Sequence, residues 1–199
     1  MAIISNAVTI ADAGAFSVSL GSMIHIKTLT ASNSATVSFV HGASSVVLNS
    51  TYPIYRFDFI NCHPAAAYND FMFNVSIDSG SNYNIAKTSR FFSAINPQAI
   101  EYGAGSDAAQ VTGKINITDN TGSGDTQSLS GSMFVFEPSN TSFVKHFISR
   151  VSSYEVSTPI DTFMGGYANT TSAVNAFQFS FRDQNIEAGT IKLYGLKDS

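Results

Sequence analysis

An all-β chain, folded as an antiparallel two-sheet β-sandwich that is jelly-roll-like in size, is what this sequence predicts, on three observations. Isoleucine and valine together number 30 against 6 leucines, with 16 Phe and 8 Tyr; such side chains suit a pleated, half-buried surface better than a helix. Apolar and polar residues alternate at period two from about residue 15 to the C-terminus. The prolines (Pro53, Pro64, Pro97, Pro138, Pro159) fall between or at the edges of the alternating runs, as residues without an N–H donor must. No segment carries a 3.6-residue period, a heptad or a longer internal repeat.

The elements follow in order. Residues 1–14 stand slightly apart, with Ile3, Ile4, Val8 and Ile10 separated from the periodic body by Ser5, Asn6 and Asp12. They read either as a first edge strand or as an arm that adds to a neighbouring protein's sheet, those four residues forming a partner interface. The sandwich domain is assigned to 15–199. Its clearest strand is Phe71–Ile77, which puts Phe71, Phe73, Val75 and Ile77 on one face. Ile54–Ile60 sends Tyr55, Phe57 and Phe59 one way and Arg56 and Asp58 the other. Val111–Thr118, Ala176–Arg182 and Gly189–Leu196 alternate in the same manner.

Weaker runs lie at Phe16–Leu20, Met23–Leu29, Thr36–Val40, Ser45–Leu48, Phe91–Ile95, Ser128–Phe136, Phe143–Val151 and Ile160–Ala168. Residues Thr36–Leu48, with His41-Gly42-Ala43-Ser44 in the middle, read as a hairpin. In Ser128–Phe136, Phe134 and Phe136 share one face and Leu129, Met133 and Val135 the other, as in a strand covered on both sides. The long loops are expected at Asn61–Asp70, Asn96–Gln110 and Asp119–Gln127.

Composition excludes several function classes. Charged residues are 12% of the 199, about half the usual ~25%, and the net charge is -4. Phosphate binding needs clustered cations, so a nucleic-acid binder is not expected. Polarity comes instead from 60 Ser, Thr and Asn residues. The single Cys62 can form no internal disulfide, and a chain this long can bury a sufficient core without one. No apolar run approaches the ~18 residues of a membrane helix, and no signal-like segment opens the chain. Synthesis in a cytosol, without membrane insertion, is the expectation.

Little in the sequence carries chemistry. His25, His41, His63 and His146 lack partners at metal-ligand spacing; the adjacent Cys62 and His63 point to opposite faces of a strand. Cys62 matches no catalytic cysteine signature, and the four Glu are widely spread. The segment Asp119-Asn120-Thr121-Gly122-Ser123-Gly124-Asp125 lacks the calcium-loop spacing and its terminal Glu. No catalytic residue, metal ligand or cofactor is assigned. The loop tyrosines Tyr68, Tyr83, Tyr102 and Tyr167 are candidate ligand-facing residues, against an ordinary role in packing or interface burial. The phenylalanines are read as core.

Several segments resemble a known family. These are Gly166-Tyr167-Ala168-Asn169-Thr170-Thr171-Ser172-Ala173, Phe177-Gln178-Phe179-Ser180-Phe181, and above all the Gly189-Thr190-Ile191-Lys192-Leu193-Tyr194-Gly195 ending. Upstream, Tyr55-Arg56-Phe57-Asp58-Phe59-Ile60-Asn61 and Phe136-Glu137-Pro138-Ser139 belong to the same likeness. Together, over about residues 52–196, they resemble a virion structural or tail-fibre-like domain of tailed phages of marine bacteria, cyanophages included. The resemblance implies a non-enzymatic virion component, assembled in the host cytoplasm and exposed on the particle. A capsid decoration or comparable accessory protein is expected first, its partners being other capsid or tail proteins. The alternative is a tail-fibre or tail-tip module recognising host surface glycan. A homotrimer is compatible with both. Gly189 and Gly195 are expected to permit turns or close backbone approach around the last strand.

Overall fold

The computed structural model describes residues 3–5, 8–12, 15–16, 22–95, 101–104, 108–155 and 158–197, with side chains described over 22–94, 108–155 and 158–197. Within them the chain is built of antiparallel strands and contains no helix. The strands are β1 (Ile3–Ser5), β2 (Val8–Asp12), β3 (Ala15–Phe16), β4 (Met23–Ser34), β5 (Val37–Val40), β6 (Ile54–Pro64), β7 (Phe71–Ser76) and β8 (Lys87–Ile95). They continue with β9 (Glu101–Ala104), β10 (Ala108–Val111), β11 (Ile115–Asn116), β12 (Leu129–Phe136), β13 (Lys145–Glu155), β14 (Thr158–Ala168), β15 (Ala176–Phe181) and β16 (Ile186–Leu196).

Two sheets make the body. The large one runs β10-β8-β14-β13-β12-β6-β16-β4, with β9 also paired to β8; the small one runs β11-β7-β15-β5. Neither closes on itself. The first three strands form a separate sheet, β1-β2-β3, so Ile3, Ile4, Val8 and Ile10 lie on paired strands. Their side chains fall outside the described residues.

Phenylalanine holds the two sheets together. Phe57 and Phe59 from β6 meet Phe179 from β15 at centroid distances of 5.0 and 5.2 Å. Phe39 from β5 meets Phe57 at 5.4 Å, and Phe73 from β7 meets Phe147 from β13 at 5.0 Å. Most of these contacts are edge-to-face, the geometry that sets a positive ring edge on a negative face. All of these rings are essentially inaccessible to solvent, and each contributes about 1.5–3 kcal/mol by burial. The period-two expectation therefore holds for Tyr55, Phe57 and Phe59 in β6, Phe71, Phe73 and Val75 in β7, and Phe177, Phe179 and Phe181 in β15. Ile77, however, lies beyond β7 and is exposed, and β7 is buried on both faces.

Three expectations change. The Thr36–Leu48 hairpin does not form: after β5, residues 45–48 leave the strand conformation. The turn instead closes on itself, Gly42 N–H donating to Val46 O and Val46 N–H to Ala43 O. Leu48 N–H donates to His41 Nδ1, and Val46 and Leu48 drop into the core. The expected loop Asn96–Gln110 contains β9 and β10, which pair with successive halves of β8. Short polar and alanine-rich strands of this kind give no hydrophobic alternation to read. Lastly, Gly189 and Gly195 lie inside β16 rather than at turns. Their purpose is close approach: a Cβ on Gly189, at φ +130°, would sit 2.6 Å from Cys62 Cα.

Candidate functional site

Adjacent residues of a strand point to opposite faces, so an apolar doublet in the large sheet sends one member outward. Four strands carry such runs: Phe91-Phe92 in β8, Phe163-Met164 in β14, Phe147-Ile148 in β13 and Met133-Phe134-Val135 in β12. Phe91, Met164, Phe147, Met133 and Val135 are buried beneath the small sheet. Phe92, Phe163, Ile148 and Phe134 face the other way, the first three 45%, 42% and 49% exposed. The reading of all phenylalanines as core is thus corrected for Phe92, Phe134 and Phe163, and also for Phe143, which is 69% exposed away from this face. Phe134 shares its face with solvent, so the expectation of a strand covered on both sides fails as well.

The pairing register gathers these side chains. One row across the sheet reads Arg56, Phe134, Ile148, Gly165, Arg90, and the next reads Asp58, Ser132, Arg150, Phe163, Phe92. Gly165 lies at the centre. Without a side chain it leaves a dent between its neighbours, and even a built Cβ would come no nearer than 3.8 Å to Ile148. The result is an open depression of about 550 Å³, walled chiefly by Phe92, Phe134, Ile148 and Phe163.

Arginines frame the depression. The Arg150 guanidinium lies 4.8 Å from the Phe163 ring centroid and donates from Nη2 to Asp161 Oδ2 at 2.7 Å. Arg56 lies 5.3 Å from the Phe134 centroid and donates from Nε to Asp58 Oδ1 at 2.6 Å. Arg90 stands on the same face. Stacked guanidinium planes keep both ring faces and acceptor-seeking N–H groups at the surface. The arrangement suits a partner that brings apolar surface flanked by hydrogen-bond acceptors. Its polar lining includes Ser132 and Ser149.

The sequence candidates disperse over the molecule. Tyr167 is half-buried on the outer face of β14, its ring edge-on to His146 at 6.1 Å, beside Gly165 and Arg90. Tyr68 is 62% exposed in a left-handed loop conformation. Tyr83 is half-buried, and its carbonyl accepts from Asn74 Nδ2 at 2.7 Å. Tyr102 pairs with Ala94 through the backbone of β9, its side chain outside the described residues. Among the described side chains of these four, Tyr167 alone neighbours residues of the aromatic depression, through Arg90 and Gly165. The missed residues were marked in the sequence by the apolar doublets themselves.

Other reactive groups are placed structurally. Burial pushes the Cys62 thiol up to about 12, far from a thiolate at neutral pH. His63 Nδ1 donates to Gln127 O at 2.6 Å while Nε2 faces Glu187 at 3.2 Å, tying the Asp119–Gln127 loop to β16. Among the described residues no group of three or more His, Cys, Asp or Glu converges as a metal site, and no helix is long and apolar enough to cross a membrane. Comparison with protein families, with curated proteins and with solved structures gives no significant match.

Proposed function

We propose that the chain is a non-enzymatic structural component of a tailed-phage virion, a capsid decoration or comparable accessory protein that docks on other virion proteins. The observation that carries this reading is the aromatic and arginine face of the large sheet, joined to the sequence likeness around Gly189–Gly195. An exposed apolar cluster of this kind is costly to solubility unless a partner covers it, and aromatic residues and Arg are the types enriched at interface cores. A jelly-roll-like arrangement belongs to the same reading. Its support is that the chain passes repeatedly between sheets, β4 to β5 to β6 to β7 to β8, and again at β15 to β16.

The test adds purified protein to particles that lack it. Stoichiometric binding, lost in Phe163→Ser, is expected. Labelling confined to the tail tip, with no binding to protein-free particles, would defeat the decoration reading.

The glycan-recognising tail module is the second reading, favoured by Tyr167 beside the Arg90 edge of the same face. It requires free protein in excess to compete with phage adsorption; unchanged adsorption counts against it.

A further inference from the structure

Independently of that function, a lysine of the large sheet and an asparagine of the small sheet are in direct contact. Lys87 opens β8 of the large sheet, and its side chain is wholly buried. Asn74 lies in β7 of the small sheet and is 7% exposed. Lys87 Nζ sits 2.5 Å from Asn74 Oδ1 and 2.8 Å from Ile85 O. Two acceptors match the two N–H groups of a neutral amine, whereas an ammonium has a third proton to place.

The amide is held just as definitely. Its oxygen accepts from Val75 N–H at 2.9 Å as well as from Lys87. Its nitrogen donates to Tyr83 O at 2.7 Å and Thr112 O at 3.4 Å. Donors therefore face the oxygen that would become negative on attack, and carbonyls face the nitrogen that would leave. The oxygen side meets a requirement of acyl transfer, a donor aimed at the developing charge, and the proton that the leaving nitrogen needs comes from Lys87 Nζ itself.

We infer that Lys87 and Asn74 form an intramolecular isopeptide bond that joins the two sheets covalently. The Lys87 Nζ lone pair attacks Asn74 Cγ, giving a tetrahedral adduct whose oxyanion is held by Val75 N–H. Two protons of Nζ are redistributed as the adduct collapses, one retained on the new amide and one passed to Nδ2. The Nζ–Cγ bond forms, the Cγ–Nδ2 bond breaks, and Nδ2 departs as ammonia. No oxidant, metal or co-reactant is consumed. Burial supplies the nucleophile, because desolvation lowers the Lys87 amine to about 8 and the neutral form is the reactive one. Among the described residues no carboxylate bonds to the pair, so the rate comes from proximity, where effective molarities on the order of 10⁵ M or more are attainable. Formation is accordingly slow and fastest in mildly alkaline buffer. In a chain whose lone cysteine cannot form an internal disulfide, this bond would do the work of one.

Intact-mass measurement of the full chain, freshly purified and after a week in mildly alkaline buffer, tests the inference. The expected product is lighter than the sequence mass by one ammonia. A protease that cuts before Asp70 and Asp78 should then release segment 70–77 attached to the segment carrying Lys87. Lys87→Arg and Asn74→Ala should keep their full sequence masses. A wild-type chain still at full sequence mass after the week overturns the inference, whatever the variants do. So does ammonia loss confined to segment 70–77 with Lys87 free, which marks a succinimide.

Discussion

The large sheet has two faces made by the same strands, and they have opposite fates. Inward, Phe57, Phe59 and Phe147 meet the rings of the small sheet and are sealed from water. Outward, Phe92, Phe134 and Phe163 gather with Ile148 in neighbouring register rows, framed by arginines and open to solvent. Residue type does not separate the faces, since both are rich in phenylalanine. What separates them is that, among the described residues, only one has a covering layer. Aromatic periodicity thus reports where apolar surface lies, not whether the same polypeptide buries it.

Substitutions on each face should part company by several kcal/mol. Phe57→Ala should lose about 3–5 kcal/mol, as ring deletions in packed cores do, seen as a lowered denaturant midpoint at constant slope. A loss below about 1 kcal/mol would mean that the sheets are not packed through this ring.

A second inner-face probe is Cys62. Its folded-state thiol lies above the unfolded value, so its contribution is complete below about pH 9 and is lost as pH rises from there through about 12. The loss is up to about 4 kcal/mol at the alkaline end. Cys62→Ala should flatten that part of the stability–pH curve, whatever its constant offset; an unchanged curve shape would place the thiol in contact with water.

Gly189→Ala tests the join between β16 and β6, where the added methyl meets Cys62 backbone at positive φ. It should cost about 1–3 kcal/mol, measured in the same unfolding assay. The smallest effect belongs to the outer face: Phe163→Ser should change stability by no more than about 0.5 kcal/mol while abolishing particle binding. If unfolding and binding change together there, the outer face is part of the core after all.

The sequence made the body legible wherever one face of a strand is apolar and the other polar, as in Tyr55-Arg56-Phe57-Asp58-Phe59. It made less of Thr88 and Ser89, or of Ala108–Val111, because small polar residues look alike in a strand and in a loop. The 41–48 turn is not legible because Val46 and Leu48 have strand-like character but are buried by a turn, a tertiary choice that local pattern does not encode. The candidate site failed for another reason. Loop tyrosines are what the sequence offers as ligand contacts, whereas the depression is assembled from every second residue of four strands across more than 70 positions of sequence. The doublets at Phe91-Phe92 and Phe163-Met164 were the usable signal, and the register that brings them side by side is visible only in the fold.

The position of β16 has a consequence for how the molecule is made. It is inserted between β4 and β6, so β4 has no neighbour in the large sheet until residues 186–196 have left the ribosome. A nascent chain lacking them holds two strand edges that should be joined to a third, and such edges invite pairing with other chains. Closing the sheet brings together segments more than 150 residues apart, and topologies of this kind fold on the millisecond-to-second scale. Closure of the large sheet therefore waits for β16, the keystone of its β6–β16–β4 end.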